Sequence, residues 1–159
     1  GVPLQAAAGV PDLLLLLAHG GQVNAVDKQG LTPLLACARD HRADMVQALL
    51  RNGANVHAHD AAGKTALMLA IENTGVGPTF ETVEALLAAG AEVNARDAAG
   101  KTVLQDALYN GNPAIVQALV AHGVNVNAPG DRPEMPLHIA LRGKETRIAQ
   151  ILQQAGARP

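Results

Sequence analysis

Two Gly-Lys-Thr triplets, Gly63-Lys64-Thr65 and Gly100-Lys101-Thr102, are the first residues of this chain whose types and spacing suggest chemistry. A loop that cradles phosphates ends in such a triplet, but it also needs a glycine five residues before the last one. Ala58 and Ala95 stand there instead, so nucleotide binding is not expected. His57-Ala58-His59-Asp60 puts two imidazoles on one side of an extended segment. A closed zinc site wants four ligands, and no others lie near in sequence, so no metal and no cofactor are expected. The chain contains no serine, which removes a serine nucleophile, and Cys37 is its one cysteine, which rules out an intramolecular disulfide. Cys37 recurs as Ala70, Ala107 and Ala140, small places that read as buried structure rather than as a reactive thiol.

The residues that must position these groups are periodic. A turn glycine appears as Gly30, Gly63 and Gly100, with Thr32, Thr65 and Thr102 two residues on. A helix-ending glycine appears as Gly20, Gly53, Gly90, Gly123 and Gly156, at steps of 33, 37, 33 and 33 residues. Self-similarity at this period marks a solenoid, in which each copy buries its apolar face only against its neighbours. Leu34, Cys37 and Ala38 fall on one helical face, and Met45, Val46, Leu49 and Leu50 on another, closed by Gly53. Helices this short are marginal alone, so they depend on stacking. Both Gly-Lys-Thr triplets are explained by the repeat.

Gly30-Leu31-Thr32-Pro33-Leu34 followed by Leu49-Leu50-Arg51-Asn52-Gly53-Ala54-Asn55-Val56 resembles the ankyrin repeat, as does Pro136-Leu137-His138-Ile139-Ala140. The resemblance covers about Leu13 to Ala157. It implies an all-α solenoid of stacked helix-turn-helix units with short hairpin-like loops, in copies at 4–26, 27–59, 60–96, 97–129 and 130–159. It also implies a binding scaffold and not an enzyme; a thin stacked slab offers paired carboxylates no enclosing pocket.

Composition agrees with thin layers. Of 159 residues 48% are apolar, yet Phe80 and Tyr109 are the only large aromatics, so the core must be built from Leu, Val, Ile and Ala. A net charge of -2 gives no global attraction to nucleic acid or to an anionic membrane, and Leu13 to Leu17 is too short an apolar run to span a bilayer. Gly1-Val2-Pro3 has neither an initiator Met nor a basic leader, which leaves the compartment open, including export after a signal is trimmed.

Four departures from the repeat stand out. Residues 4–26 form a degenerate first copy that reads as a cap. The third copy is longer by four residues, in the segment Asn73-Thr74-Gly75-Val76-Gly77-Pro78-Thr79 between a helix ending near Glu72 and one starting near Phe80; this insertion reads equally as a binding loop or as a tolerated surface loop. Asp106 occupies a place held elsewhere by Ala36, Leu69 and Ile139, so it must reach solvent or find a partner in a neighbouring copy. The fifth copy replaces the turn glycine by Pro133 and the threonine by Met135, and Gln153 stands where Leu50, Leu87 and Val120 sit, as in a polar cap. His138 matches the family's structural hydrogen-bonding histidine, which Leu35, Met68 and Gln105 replace in other copies. Asn24, Asn94 and Asn127, with His57 in the matching place, suit a turn through local bonding.

The resemblance implies that a partner meets the concave face of hairpin tips and first-helix ends. Carried over, that face holds Leu31, Arg39, Lys64, Glu72, Arg96, Lys101, Tyr109, Arg132 and Arg142. With their neighbours they carry seven Lys or Arg against four Asp or Glu. Arg and Tyr are enriched at interface hot spots. The expected partner is another protein, met by a monomer. A narrower reading makes the chain an inhibitor or immunity protein that blocks a partner enzyme, and the Ala-rich repeats resemble bacterial ones. One tyrosine is too few stacking aromatics for nucleic acid.

Overall fold

The computed structural model describes residues 23–72 and 79–158. The expected first copy, apart from its last residues, and the inserted segment before Thr79 lie outside the described residues. Eight helices follow one another among those described: α1 (Pro33–Arg39), α2 (Ala43–Arg51), α3 (Ala66–Glu72), α4 (Thr79–Ala88), α5 (Val103–Asn110), α6 (Pro113–Ala121), α7 (Pro136–Arg142) and α8 (Thr146–Gln154). Extended pairing among the described residues is confined to the isolated bridges His59–Thr65 and Arg96–Thr102.

Each first helix has a local reason to start where it does. Thr32 is extended and its Oγ1 accepts the Leu35 N–H, while Pro33 fills a first-turn place where a missing N–H costs nothing. Thr102 caps α5 in the same way through the Gln105 N–H. Met135 has no hydroxyl, and α7 begins on Pro136 without a side-chain cap.

The turn ahead of these helices repeats atom for atom. Asp27 Oδ1 accepts the N–H groups of Gln29 and Leu31, Asp60 Oδ1 those of Ala62 and Lys64, and Asp97 Oδ1 those of Ala99 and Lys101. Gly30, at φ 81°, shows why the turn needs glycine: its backbone is left-handed, and a Cβ there would lie 3.1 Å from the Ala61 nitrogen of the next copy. The fifth copy has no aspartate at this place, and Gly130-Asp131-Arg132-Pro133 follows a different path.

The contacts divide the chain into two compact units, Gly1–Ala91 and Glu92–Pro159. In the first, α1 packs on α2 and α3, and α4 on α2 and α3. Leu34, Leu35, Leu49, Leu67, Ile71 and Leu86 are its largest fully buried side chains. In the second, α5 packs on α6 and α7, and α8 on α6 and α7, around Leu104, Ile115, Leu119 and Ile148. Both cores are aliphatic, as composition requires; Phe80 and Tyr109 are exposed. Truncating any one of these leucines to alanine removes about 2–5 kcal/mol, because layers this thin have little with which to fill a cavity.

Hydrogen bonds also join successive copies within each unit. Asn24 Nδ2 donates to the Gly53 carbonyl while its Oδ1 accepts the Asn55 N–H, and Asn94 does the same to Gly123 and Asn125. Asn127 repeats the clamp on Gly156 and Arg158. The turn asparagines therefore bond to the next copy rather than locally, since the left-handed glycine that ends each second helix turns its carbonyl toward them.

Candidate functional site

Two places eight residues apart, at the start and the end of each first-helix segment, organise the expected contact surface. In the third copy Lys64 and Glu72 hold them. Lys64 Nζ lies 2.6 and 2.7 Å from the two Glu72 oxygens, with the side chains 26% and 31% exposed. In the second copy Leu31 and Arg39 hold them. Arg39 is exposed and its Nε lies 3.2 Å from Asp40 Oδ1. Leu31, expected at the surface, is 7% exposed: its position beside the α1 cap turns it into the core.

In the second unit the two places are Lys101 and Tyr109. A phenol does not hold an ammonium as a carboxylate does, and Lys101 turns instead to Asp106, with Nζ 2.9 Å from Oδ1. Asp106 is buried, and Lys101 of its own copy is a partner. Its carboxylate also sits in the first turn of α5, where the helix N-terminus favours negative charge. Tyr109 is left 48% exposed at the other end of the helix.

The fifth copy reverses the signs. Glu134 and Arg142 occupy the two places, with Arg142 Nη1 3.2 Å from Glu134 Oε1. His138 lies one turn from Glu134, its Nε2 4.0 Å from the same oxygen, and its side chain is 66% exposed. The expected structural role of His138 is therefore corrected. With Met135 where the family has threonine, no hydroxyl draws the ring inward, and it stays at the surface beside an acid. Gln105, at the matching place in the fourth copy, does bond to the following copy. Its amide donates to Asp131 Oδ1 and its Oε1 accepts the Asp131 N–H. Gly130 fits this pairing because a Cβ would collide with the Gln105 side chain.

Arg96 is exposed, and its guanidinium is engaged by backbone. Its guanidinium donates to the Gly100 carbonyl at 2.9 Å and to the Pro129 carbonyl at 2.8 Å, stapling the fourth hairpin to the fifth. Arg132, on the latter hairpin, is exposed. Cys37 is half-buried, and burial pushes its thiol from 9.0 to about 11, so it is protonated at neutral pH. Among the described residues no cluster of three or more His, Cys, Asp or Glu could hold a metal ion, and no helix is long and apolar enough to cross a membrane.

Sequence reasoning missed three of these relationships. The pairs at a spacing of eight were legible as Lys64–Glu72 and its sign-reversed counterpart Glu134–Arg142. The Lys101–Asp106 pair was half legible, in that an acid at an apolar place required a partner. The Arg96 staple left no sequence signal, because its acceptors are backbone carbonyls, one of them, that of Pro129, 33 residues away.

A family model described as ankyrin repeats (3 copies) matches residues 4–97 and again 76–159. The chain is similar to a crystal structure of an ankyrin repeat domain from Acinetobacter baumannii AYE, at 30% identity and a TM-score of 0.85, over 92% of this chain and 76% of that one. It is 40% identical over 72 residues to the B-cell lymphoma 3 protein homolog of Mus musculus, spanning 45% of this chain and 16% of that protein. It is 47% identical over 60 residues to the ankyrin repeat and LEM domain-containing protein 1 homolog of Caenorhabditis elegans, 37% of this chain and 8% of that one. The chain thus spans a small part of the length of these curated relatives. Repeats of this kind generally serve as protein–protein interaction scaffolds and are typically non-enzymatic. With the family model matching from residue 4 to residue 159, the chain belongs to the ankyrin-repeat family.

Proposed function

We propose that this chain is a protein-binding scaffold without catalytic activity, and that in each unit the hairpin tips and the C-terminal ends of the first helices meet the partner. The observation that carries the reading is the treatment of Tyr109. The aromatic ring stands 48% exposed at the end of α5, and among the described residues the other exposed large apolar side chains are Val26, Phe80 and Leu141, none of which carries a polar tip. A stiff ring with a polar tip, rimmed by charge, is the kind of group around which interfaces concentrate their affinity. In the first unit the matching surface is carried by Arg39, Lys64 and Glu72, and in the second by Lys101, Tyr109, Arg132 and Arg142. Arg96, itself exposed, braces that surface through its bonds to backbone carbonyls.

The test is a photo-crosslinking amino acid placed at Tyr109 and, separately, at Gln117 on the exposed side of α6. Protein adducts should form from position 109 and be few from position 117. Adducts from 117 alone, or from neither, would overturn the reading. If the adduct proves to be an enzyme, its activity with and without the chain decides whether binding also occludes an active site.

A further inference from the structure

We propose that the α5–α7 surface of the second unit takes an acidic segment of the partner protein, with the Tyr109 ring as its apolar anchor and the guanidinium groups of Arg142 and Arg132 as its charge contacts. The proposal rests on the binding reading above and names the chemistry of the partner.

Charge on this surface is not balanced where it faces outward. The second unit carries seven Lys or Arg against six Asp or Glu, close to neutral in sum. Three of its acids, however, Asp97, Asp106 and Glu134, are engaged within the unit and are not exposed. Asp106 is 10% exposed and holds Lys101, and Glu134 is 20% exposed and already receives Arg142. Asp97 is occupied by two turn N–H groups, while Asp131 bonds Gln105 and stays exposed next to Arg132 in sequence, which leaves Arg142 as the stronger charge contact. The cations are placed the other way: Arg142 is 60% exposed though paired, and Arg132 is exposed. An incoming carboxylate can therefore reach a guanidinium whose own acid lies beneath it, and a guanidinium can hold two carboxylates at once through its fork of donors.

Comparison of the copies points the same way. In the first unit, Lys64 closes on Glu72 with both carboxylate oxygens, which leaves anion and cation side by side at that place. In the second unit Tyr109 stands in place of the acid, and its counterpart in α7 is Arg142. The helices α5 and α7 pack on each other, so ring and guanidinium belong to one surface with no outward acid at either place. An acidic segment gains there both apolar burial on the ring and charge-assisted bonds; a basic one meets exposed cations of its own sign. Nucleic acid is disfavoured, since a single ring gives only one stacking platform.

The experiment is selection of a displayed random dodecapeptide library on the intact chain, followed by affinity measurement of the enriched peptides. Enriched sequences should combine several Asp or Glu with an aliphatic or aromatic residue. Their affinity should fall at least tenfold in Tyr109→Ala and in Arg142→Glu, and weaken with added salt. Arg147→Glu makes the same change of charge on α8 and should leave affinity within twofold. Circular dichroism on each variant verifies folding, and Arg142→Lys, which keeps the charge, should recover part of the lost affinity. Neutral or basic enriched peptides, no enrichment, equal losses in Arg147→Glu, or a labelled single-stranded RNA that binds the same residues more tightly would each overturn the proposal. Protein crosslinks from position 109 alongside any of these results would leave the scaffold reading standing and remove only the acidic partner.

Discussion

Lys101 Nζ lies 2.9 Å from Asp106 Oδ1, and the carboxylate of that pair is only 10% exposed. Lys101, although part of the proposed contact surface, is a paired cation that compensates an acid at a place where other copies carry Ala36, Leu69 and Ile139. Lys101→Met should therefore destabilise the chain by about 1–3 kcal/mol, below the cost of breaking a fully buried pair because the lysine is partly solvated. Lys64→Met, which opens the more exposed pair with Glu72, should cost under about 1 kcal/mol. Urea unfolding of both variants measures the contrast. The double variant Lys101→Met/Asp106→Leu should regain most of the loss; if it does not, the pair is not what Lys101 contributes.

The asparagine clamp predicts a stabilising change. Asn94→Ala removes a donor to the Gly123 carbonyl and an acceptor for the Asn125 N–H, and should cost about 1–2 kcal/mol. His57 holds the matching place, and among the described residues its side chain makes no such clamp to Gly90. His57→Asn should therefore gain about 0.5–1.5 kcal/mol. A thermal midpoint that does not rise in His57→Asn would show that the clamp needs more than the side chain.

Arg96 and Arg132 should separate stability from binding. Arg96→Ala loses the bonds to the Gly100 and Pro129 carbonyls and should cost about 1 kcal/mol, as expected of an exposed charged donor. Arg132→Ala should change stability by less than about 0.5 kcal/mol, as surface substitutions do. Denaturant midpoints measured in parallel check both, and similar midpoints for the two variants would count against the staple.

Cys37 gives a pH dependence with a definite sign. Its thiol is raised from 9.0 to about 11 by burial, so the folded state holds the proton more tightly than the unfolded one. Stability from this group is present below pH 9 and is lost as pH rises through about 11. The wild type should thus lose stability over that window faster than Cys37→Ala, with the two curves parallel below it. Slow labelling of the folded chain by a disulfide reagent near pH 8 would agree, because the thiolate is the reacting species.

Much of the architecture was legible because the repeat states each local rule several times. Thr32 and Thr102 cap where the spacing puts a helix start, the left-handed glycines end the second helices, and Asp27, Asp60 and Asp97 fold three copies of one turn. These are short-range demands of the backbone, set by residues no more than four apart, and a linear sequence displays them. The site was legible only as a set of places. Sequence put Leu31, Lys64, Lys101 and Glu134 in register, and equally Arg39, Glu72, Tyr109 and Arg142, but register does not say which way a side chain turns.

Tertiary structure decided that. Leu31 is buried, Lys101 turns to Asp106 because Tyr109 offers it no carboxylate, Arg96 is drawn to the carbonyls of a hairpin from the next copy, and His138 stays at the surface. Each outcome is a choice among partners brought close by stacking, made by desolvation and by the geometry of the acceptors. A long side chain reaches several such partners, and only the packed neighbours select one. The family and its period are properties of the chain read in order; the chemistry exposed on the α5–α7 surface is a property of what the interior has already used.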